Sequence, residues 1–218
     1  MSTALADHVA TQLESLDACI QMVRDLAGGS LAASGSHGRV LRDVERILQS
    51  LRVSGAVVGG LAVIHHGYHR FTRDVDIVLP AEAVREFLRL APLCGFRVAR
   101  RDRYGWHALV HKETGMDLHL VPEHAKPRRG APTRIPGPHD LGVSGIGLGF
   151  PTLERLVELK LASGRLRDQA DVVELLKEHW GERTGIRKHL SKVHPELAKQ
   201  FDLLVTQAQR EREQEKNR

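Results

Sequence analysis

Apolar residues recur at helical spacing from His8 to Ala27, at Val9, Leu13, Leu16, Ile20 and Val23, and the stripe stops at Gly28-Gly29-Ser30. Leu31 to Gly38 reads as a small-residue linker. A second stripe from Arg39 to Leu51, through Val40, Leu41, Val44, Ile47 and Leu48, predicts an amphipathic helix laid on the core. The period then changes. Ala56 to Val58 reads as a strand, Gly59-Gly60 as a turn, and Leu61 to His66 as a short helix ended by Gly67. Val75, Ile77, Val78 and Leu79 mark a second strand. Pro80 and the acidic Glu82 open a helix through Val84, Phe87, Leu88 and Leu90. Gly95 to Arg100 reads as a strand. Trp106 to His111 and Met116 to Val121 read as two more, joined in a hairpin over Lys112-Glu113-Thr114-Gly115.

Glu123 to Gly149 is rich in Pro, Gly and basic residues and reads as a mobile connector. Its basic cluster, Lys126, Arg128, Arg129 and Arg134, is either a solvated loop or a track for an RNA backbone. Beyond it, Thr152 is placed as the N-cap of a helix with Leu153, Leu156, Val157 and Leu161 on one stripe and Gly164 at its end. Lys160 lies on the same stripe, either snorkelling or aimed at an anion. Asp168 is placed at the start of a further helix through Val172, Leu175 and Leu176, and Asp168-Gln169-Ala170-Asp171 resembles a capping box. His194 to Arg218 is helical in composition and reads as a solvated end.

The chain thus divides into an N-terminal helix and linker (1–38), an α/β core (39–125), a basic loop with a helical subdomain (126–190) and a charged tail (191–218). The fold class is α/β (α+β), a mixed sheet flanked by helices.

Composition changes this picture little. Hydrophobic residues are 41% of the 218, enough for a core. No apolar run approaches the ~18 residues of a membrane span, and the N-terminus does not read as a signal peptide. Cys19 and Cys94 have no metal-type spacing, so a reduced, cytoplasmic setting is expected. The net charge of +5 permits an anionic partner without demanding one. Aromatic residues, at 4%, are too few for a single-strand stacking platform.

Candidate chemistry lies at Asp74-Val75-Asp76. Alternation on a strand puts both carboxylates on one face, where they repel unless a cation sits between them or one stays protonated. A hard divalent ion is the natural occupant. The bland alternative is a polar strand edge. Asp117, His119 and Val121 share a face of a later strand, so Asp117 is a candidate third carboxylate and His119 is expected nearby. The pairs His65/His69 and His107/His111 have a spacing that suits zinc only on a helix. Gly67 interrupts the first pair and the second falls on a strand.

A small apolar strand, Gly-Gly, a short helix and Asp-Val-Asp on a strand resemble the nucleotidyltransferase superfamily of DNA polymerase β. RFTRDVDIVL and LERLVELKLASGRLRDQADVVELL are similar to the bacterial minimal nucleotidyltransferases, among them the AbiEii-like toxins. The resemblance spans about Arg39 to His179. It implies a Mg2+ (or Mn2+)-dependent enzyme that moves an NMP from an NTP to a hydroxyl. The acceptor is then RNA such as a tRNA 3′ end in a toxin–antitoxin setting, or a protein or small molecule, with a cognate antitoxin as partner and no membrane. It implies Asp74, Asp76 and Asp117 as metal-binding and catalytic. Gly59, Gly60, Leu61, Arg70, Thr72 and Arg73 fall near the phosphates. Lys160, Asp168 and Asp171 face the cleft, against the capping reading. Leu61 departs from the family, which often places Ser or Thr there; a binding protein without chemistry is the alternative.

Overall fold

The computed structural model describes residues 35–101 and 106–217; the expected helix from His8 to Ala27, its linker to Ser34 and Cys19 lie outside them. Helix α1 (Ser36–Leu51) precedes strand β1 (Ser54–Val58), helix α2 (Gly59–His65) and strand β2 (Asp74–Leu79). Helix α3 (Ala83–Leu90) and a 3-10 turn lead to β3 (Phe96–Arg101), β4 (His107–His111), β5 (Asp117–Pro122) and β6 (Gly147–Gly149). Four helices follow, α4 (Leu153–Ser163), α5 (Leu166–Glu178), α6 (Arg183–Val193) and α7 (Pro195–Lys216).

The six strands form one mixed sheet in the order β3-β4-β5-β2-β1-β6. β2 lies centrally, antiparallel to β1 and parallel to β5, which pairs antiparallel with β4. The fold is therefore mixed α/β, with seven helices flanking the sheet among the described residues. Alternation on β2 explains the layering. Val75, Ile77 and Leu79 enter a core with Val44, Ile47 and Leu48 of α1 and Phe87 of α3. Asp74, Asp76 and Val78 take the opposite face. There Val78 packs with Val58, Val121, Ile135, Leu141 and Val143. A third cluster joins Ala62 and Val63 of α2 to the faces of α4 to α7. Among the described residues no helix is long and apolar enough to cross a membrane.

Several expectations are corrected. α1 begins at Ser36, not Arg39, and buries His37 and Gly38 in its first turn. α2 begins at Gly59, so the glycine pair makes the turn and at the same time opens the helix, with Gly59 at φ +67°. The stretch 123–149 is packed, not a free connector. Backbone bonds join His124 and Ala125 to Ile135, and Thr152 donates to Leu141 O, while Ile135, Leu141 and Val143 are buried. Its end forms β6, parallel to β1, too short and glycine-rich to show a period. Thr152 occupies the N-cap of α4 without a side-chain capping bond. α5 begins at Leu166, so Asp168 lies inside the first turn and no capping box forms. The C-terminal end is a helix of 22 residues, preceded by α6, which the sequence pattern did not suggest.

Candidate functional site

The turn from β1 into α2 reaches the carboxylate strand without a side chain between them. Gly59 has φ +67°, and a Cβ there would collide with Asp76 Oδ2. A Cβ on Gly60 would strike Thr72 Oγ1. Both glycines are therefore required by close approach. Leu61 turns the other way into the main core, fully buried. Thr72 is buried, its hydroxyl donates to Asp74 Oδ1 at 3.1 Å, and its backbone is hydrogen-bonded to His37.

In the parallel ladder, Asp74 stands opposite Asp117 and Asp76 opposite His119. His119 Nδ1 lies 2.9 Å from Asp76 Oδ1 and 3.8 Å from Asp74 Oδ2. One ligand atom from each of Asp74, Asp76 and His119 falls within 4.8 Å of the other two. Asp117 is more exposed, beside Asp74 at the start of β5. The hydrogen bond to Asp76 pushes the His119 pKa up against the opposing effect of burial, and the charges of Asp76, Asp74 and Asp117 add to the rise. Two oxygens and one nitrogen converging from adjacent strands, all half-buried, form a donor set that suits a divalent ion.

Nearby lies a second charged cluster of different character. Lys160 Nζ donates to Asp168 Oδ1 and Asp171 Oδ2, each at 2.7 Å. Arg70 meets Asp171 with both prongs, Nε to Oδ1 at 2.6 Å and Nη2 to Oδ2 at 2.8 Å. Ser163 Oγ donates to Asp168 Oδ2. Two cations balance two carboxylates, and Lys160, Asp168 and Asp171 are buried. Asp168 and Asp171 thus bind side chains instead of capping α5. Arg70 Nη1 also sits beside Gly60, so the network touches the glycine turn. Arg73 is exposed and lies over the Phe71 ring.

One cleft is lined by residues of both clusters. Gly59 and Asp76 line one end and Lys160, Ser163, Arg165 and Asp168 the other, with apolar walls that include Trp106 and Ile135. Arg128 lies against Gly164 with its Nε buried and without a hydrogen-bond partner. Lys126, Arg129 and Arg134 are exposed. Two histidines of the zinc-spaced pairs have structural partners. His65 stacks on Phe150, and His111 bridges Asp43 and Thr114. Sequence reasoning did not single out Arg165, although it lies within the stretch LERLVELKLASGRLRDQADVVELL, or Trp106, read only as the start of a strand; folding brings both to the cleft.

No protein-family model matches the chain, and no curated protein does. Solved structures with a similar arrangement include TM1012 from Thermotoga maritima, described as a candidate nucleotidyltransferase. It is 22% identical with a TM-score of 0.44, over 65% of this chain and 93% of that one. ANT(2")-Ia in complex with adenylyl-2"-tobramycin is 15% identical with a TM-score of 0.46, over 77% and 98% of the two chains. The solution structure of the antibiotic-resistance factor ANT(2'')-Ia is 15% identical with a TM-score of 0.42, over 83% and 95%.

Proposed function

We propose that this chain is a metal-dependent nucleotidyltransferase that moves an NMP from an NTP to a hydroxyl acceptor and releases pyrophosphate. The observation that carries this reading is the convergence of Asp74, Asp76 and His119 at a glycine turn that admits no side chain. Asp74 and Asp76 would hold a divalent ion, Mg2+ or Mn2+. When bound, it supplies charge neutralisation on the phosphates and a lowered pKa for the attacking hydroxyl. Asp117, beside Asp74, takes the acceptor's proton. The backbone N–H groups of Gly59, Gly60 and Leu61 face the phosphates. Leu61 has no hydroxyl to add, and Thr72 Oγ1, buried against Gly60, holds Asp74 Oδ1 instead. Arg73 is free to close on the phosphates. Arg70, Lys160, Asp168 and Asp171 hold the cleft's shape, with Lys160 in its lining.

RNA, including a tRNA 3′ end, is the acceptor that the surroundings favour, in a toxin–antitoxin setting with a cognate antitoxin. The cleft carries Arg165, and Arg128 offers a buried, unpartnered Nε beside it. A polycationic acceptor is less well served. The lining carboxylates among the described residues are Asp76, in the ligand set, and Asp168, held by Lys160 and Ser163.

Transfer of label from each α-³²P-NTP to total RNA and to lysate, with Mg2+ or Mn2+, tests the reading. Label in RNA that vanishes in D74A/D76A is the expected result. Equal inertness of wild type and double mutant, with nucleotide still binding, would favour a binding protein without chemistry.

A further inference from the structure

The third ligand atom of the cluster is a nitrogen, and this bears on which ion it takes. An ion that bonds its ligands at about 2.0–2.2 Å holds adjacent ligand atoms about 3 Å apart, and wider-angle pairs up to about 4 Å apart. His119 Nδ1 lies 2.9 Å from an oxygen of Asp76 and 3.8 Å from one of Asp74, within that range on both sides. By both separations the imidazole is placed to ligate the ion directly once its hydrogen bond to Asp76 gives way. It is fixed there by the β2–β5 ladder, which sets His119 opposite Asp76. The backbone on the other side is close-packed, since Gly59 leaves no room for a Cβ beside Asp76. The carboxylates cannot swing away from the imidazole in that direction.

Mg2+ demands near-octahedral oxygen ligation and sheds water reluctantly; Mn2+ also takes carboxylate oxygens but, as a first-row transition ion, accepts an imidazole nitrogen beside them more readily. Resting on the transferase reading above, we infer that this site binds a transition-metal divalent ion of the Mn2+ kind in preference to Mg2+, with His119 Nδ1 as a direct ligand beside Asp74 and Asp76. The ion takes the place of the proton that now links Nδ1 to Asp76.

The test uses the full chain stripped of metal by chelation, with Mn2+ itself as the probe. Free Mn2+ is counted by electron paramagnetic resonance during titration, Mg2+ is added as competitor, and pulsed measurements seek ¹⁴N coupling to the bound ion. Wild type is expected to show nitrogen coupling and to hold Mn2+ at least about tenfold more tightly than Mg2+. H119A should lose the coupling and at least about tenfold in Mn2+ affinity, the least a lost ligand costs where even supporting partners cost that much, with Mg2+ affinity little changed. H119D, an all-oxygen set, should bring the two affinities together. Mn2+ bound without nitrogen coupling, and equally well by H119A, would overturn the inference and leave the transferase reading standing. Mn2+ binding that survives D74A/D76A unchanged would place the ion elsewhere and overturn both.

Discussion

Two charged clusters lie at opposite ends of one cleft and are built on opposite principles. Lys160, Arg70, Asp168 and Asp171 are a closed set, two cations to two carboxylates, buried and mutually bonded. Asp74, Asp76 and Asp117 are an open set, three carboxylates with a single imidazole among them. A closed set gives rigidity and has little left to offer a ligand. An open set holds its geometry only because the surrounding backbone imposes it, and it gains most when a cation arrives.

The sharpest break in this comparison is one matched pair of substitutions. D171A strands Arg70 and leaves Lys160 with one partner, so the folding free energy should fall by about 3–5 kcal/mol. D117A, at an exposed position beside Asp74, relieves repulsion and should leave the denaturant midpoint unchanged or raised. Equal destabilisation by both would erase the distinction between the clusters. A smaller effect is expected at Thr72, where the hydroxyl alone is at issue. T72V frees Asp74 Oδ1 and should weaken binding of the divalent ion by about threefold to tenfold, the equivalent of one net hydrogen bond. Unchanged ion affinity would mean that the hydroxyl does not hold Asp74 in its binding position.

The smallest effect concerns histidines of the opposite kind. Burial pushes the pKa of His37 and His65 down to about 4. Both stay neutral in the fold while the unfolded chain takes up protons below pH 6.5. Stability should therefore fall as pH drops from about 6.5 towards 4, by about 1 kcal/mol for each histidine between pH 7 and 5.5. Denaturant midpoints at the two pH values check this, and H65N should flatten part of the slope. His119, with its raised pKa, contributes in the opposite sense, so the change of slope in H65N is the deciding readout, and an unchanged slope there would mean that the His65 ring is charged in the fold.

The open set was largely legible in the sequence and the closed set was not. Asp74 and Asp76 sit in an alternating strand behind a glycine pair, so local period and residue type sufficed to place them on one face. His119 could be placed near them because it is two residues from Asp117 on the same strand. Asp168 and Asp171 carried a local signal, a capping box, that pointed elsewhere. It failed because α5 starts at Leu166, an exposed residue no apolar pattern would nominate. The pairing of Arg70 with Asp171 joins positions 101 apart, and spacing says nothing about contacts of that kind. β6 escaped notice for another reason. Gly147, Leu148 and Gly149 have too few side chains to alternate, and the strand exists because β1 offers it a free edge.

The segment from Arg70 to Asp74 has a mechanical consequence. One end is clamped to α5 through Asp171, and at the other Thr72 bonds Asp74. Four residues fully extended reach at most about 14 Å. The helical layer is thus on a short leash to the carboxylates, and a shift of α5 is passed through four residues to Asp74.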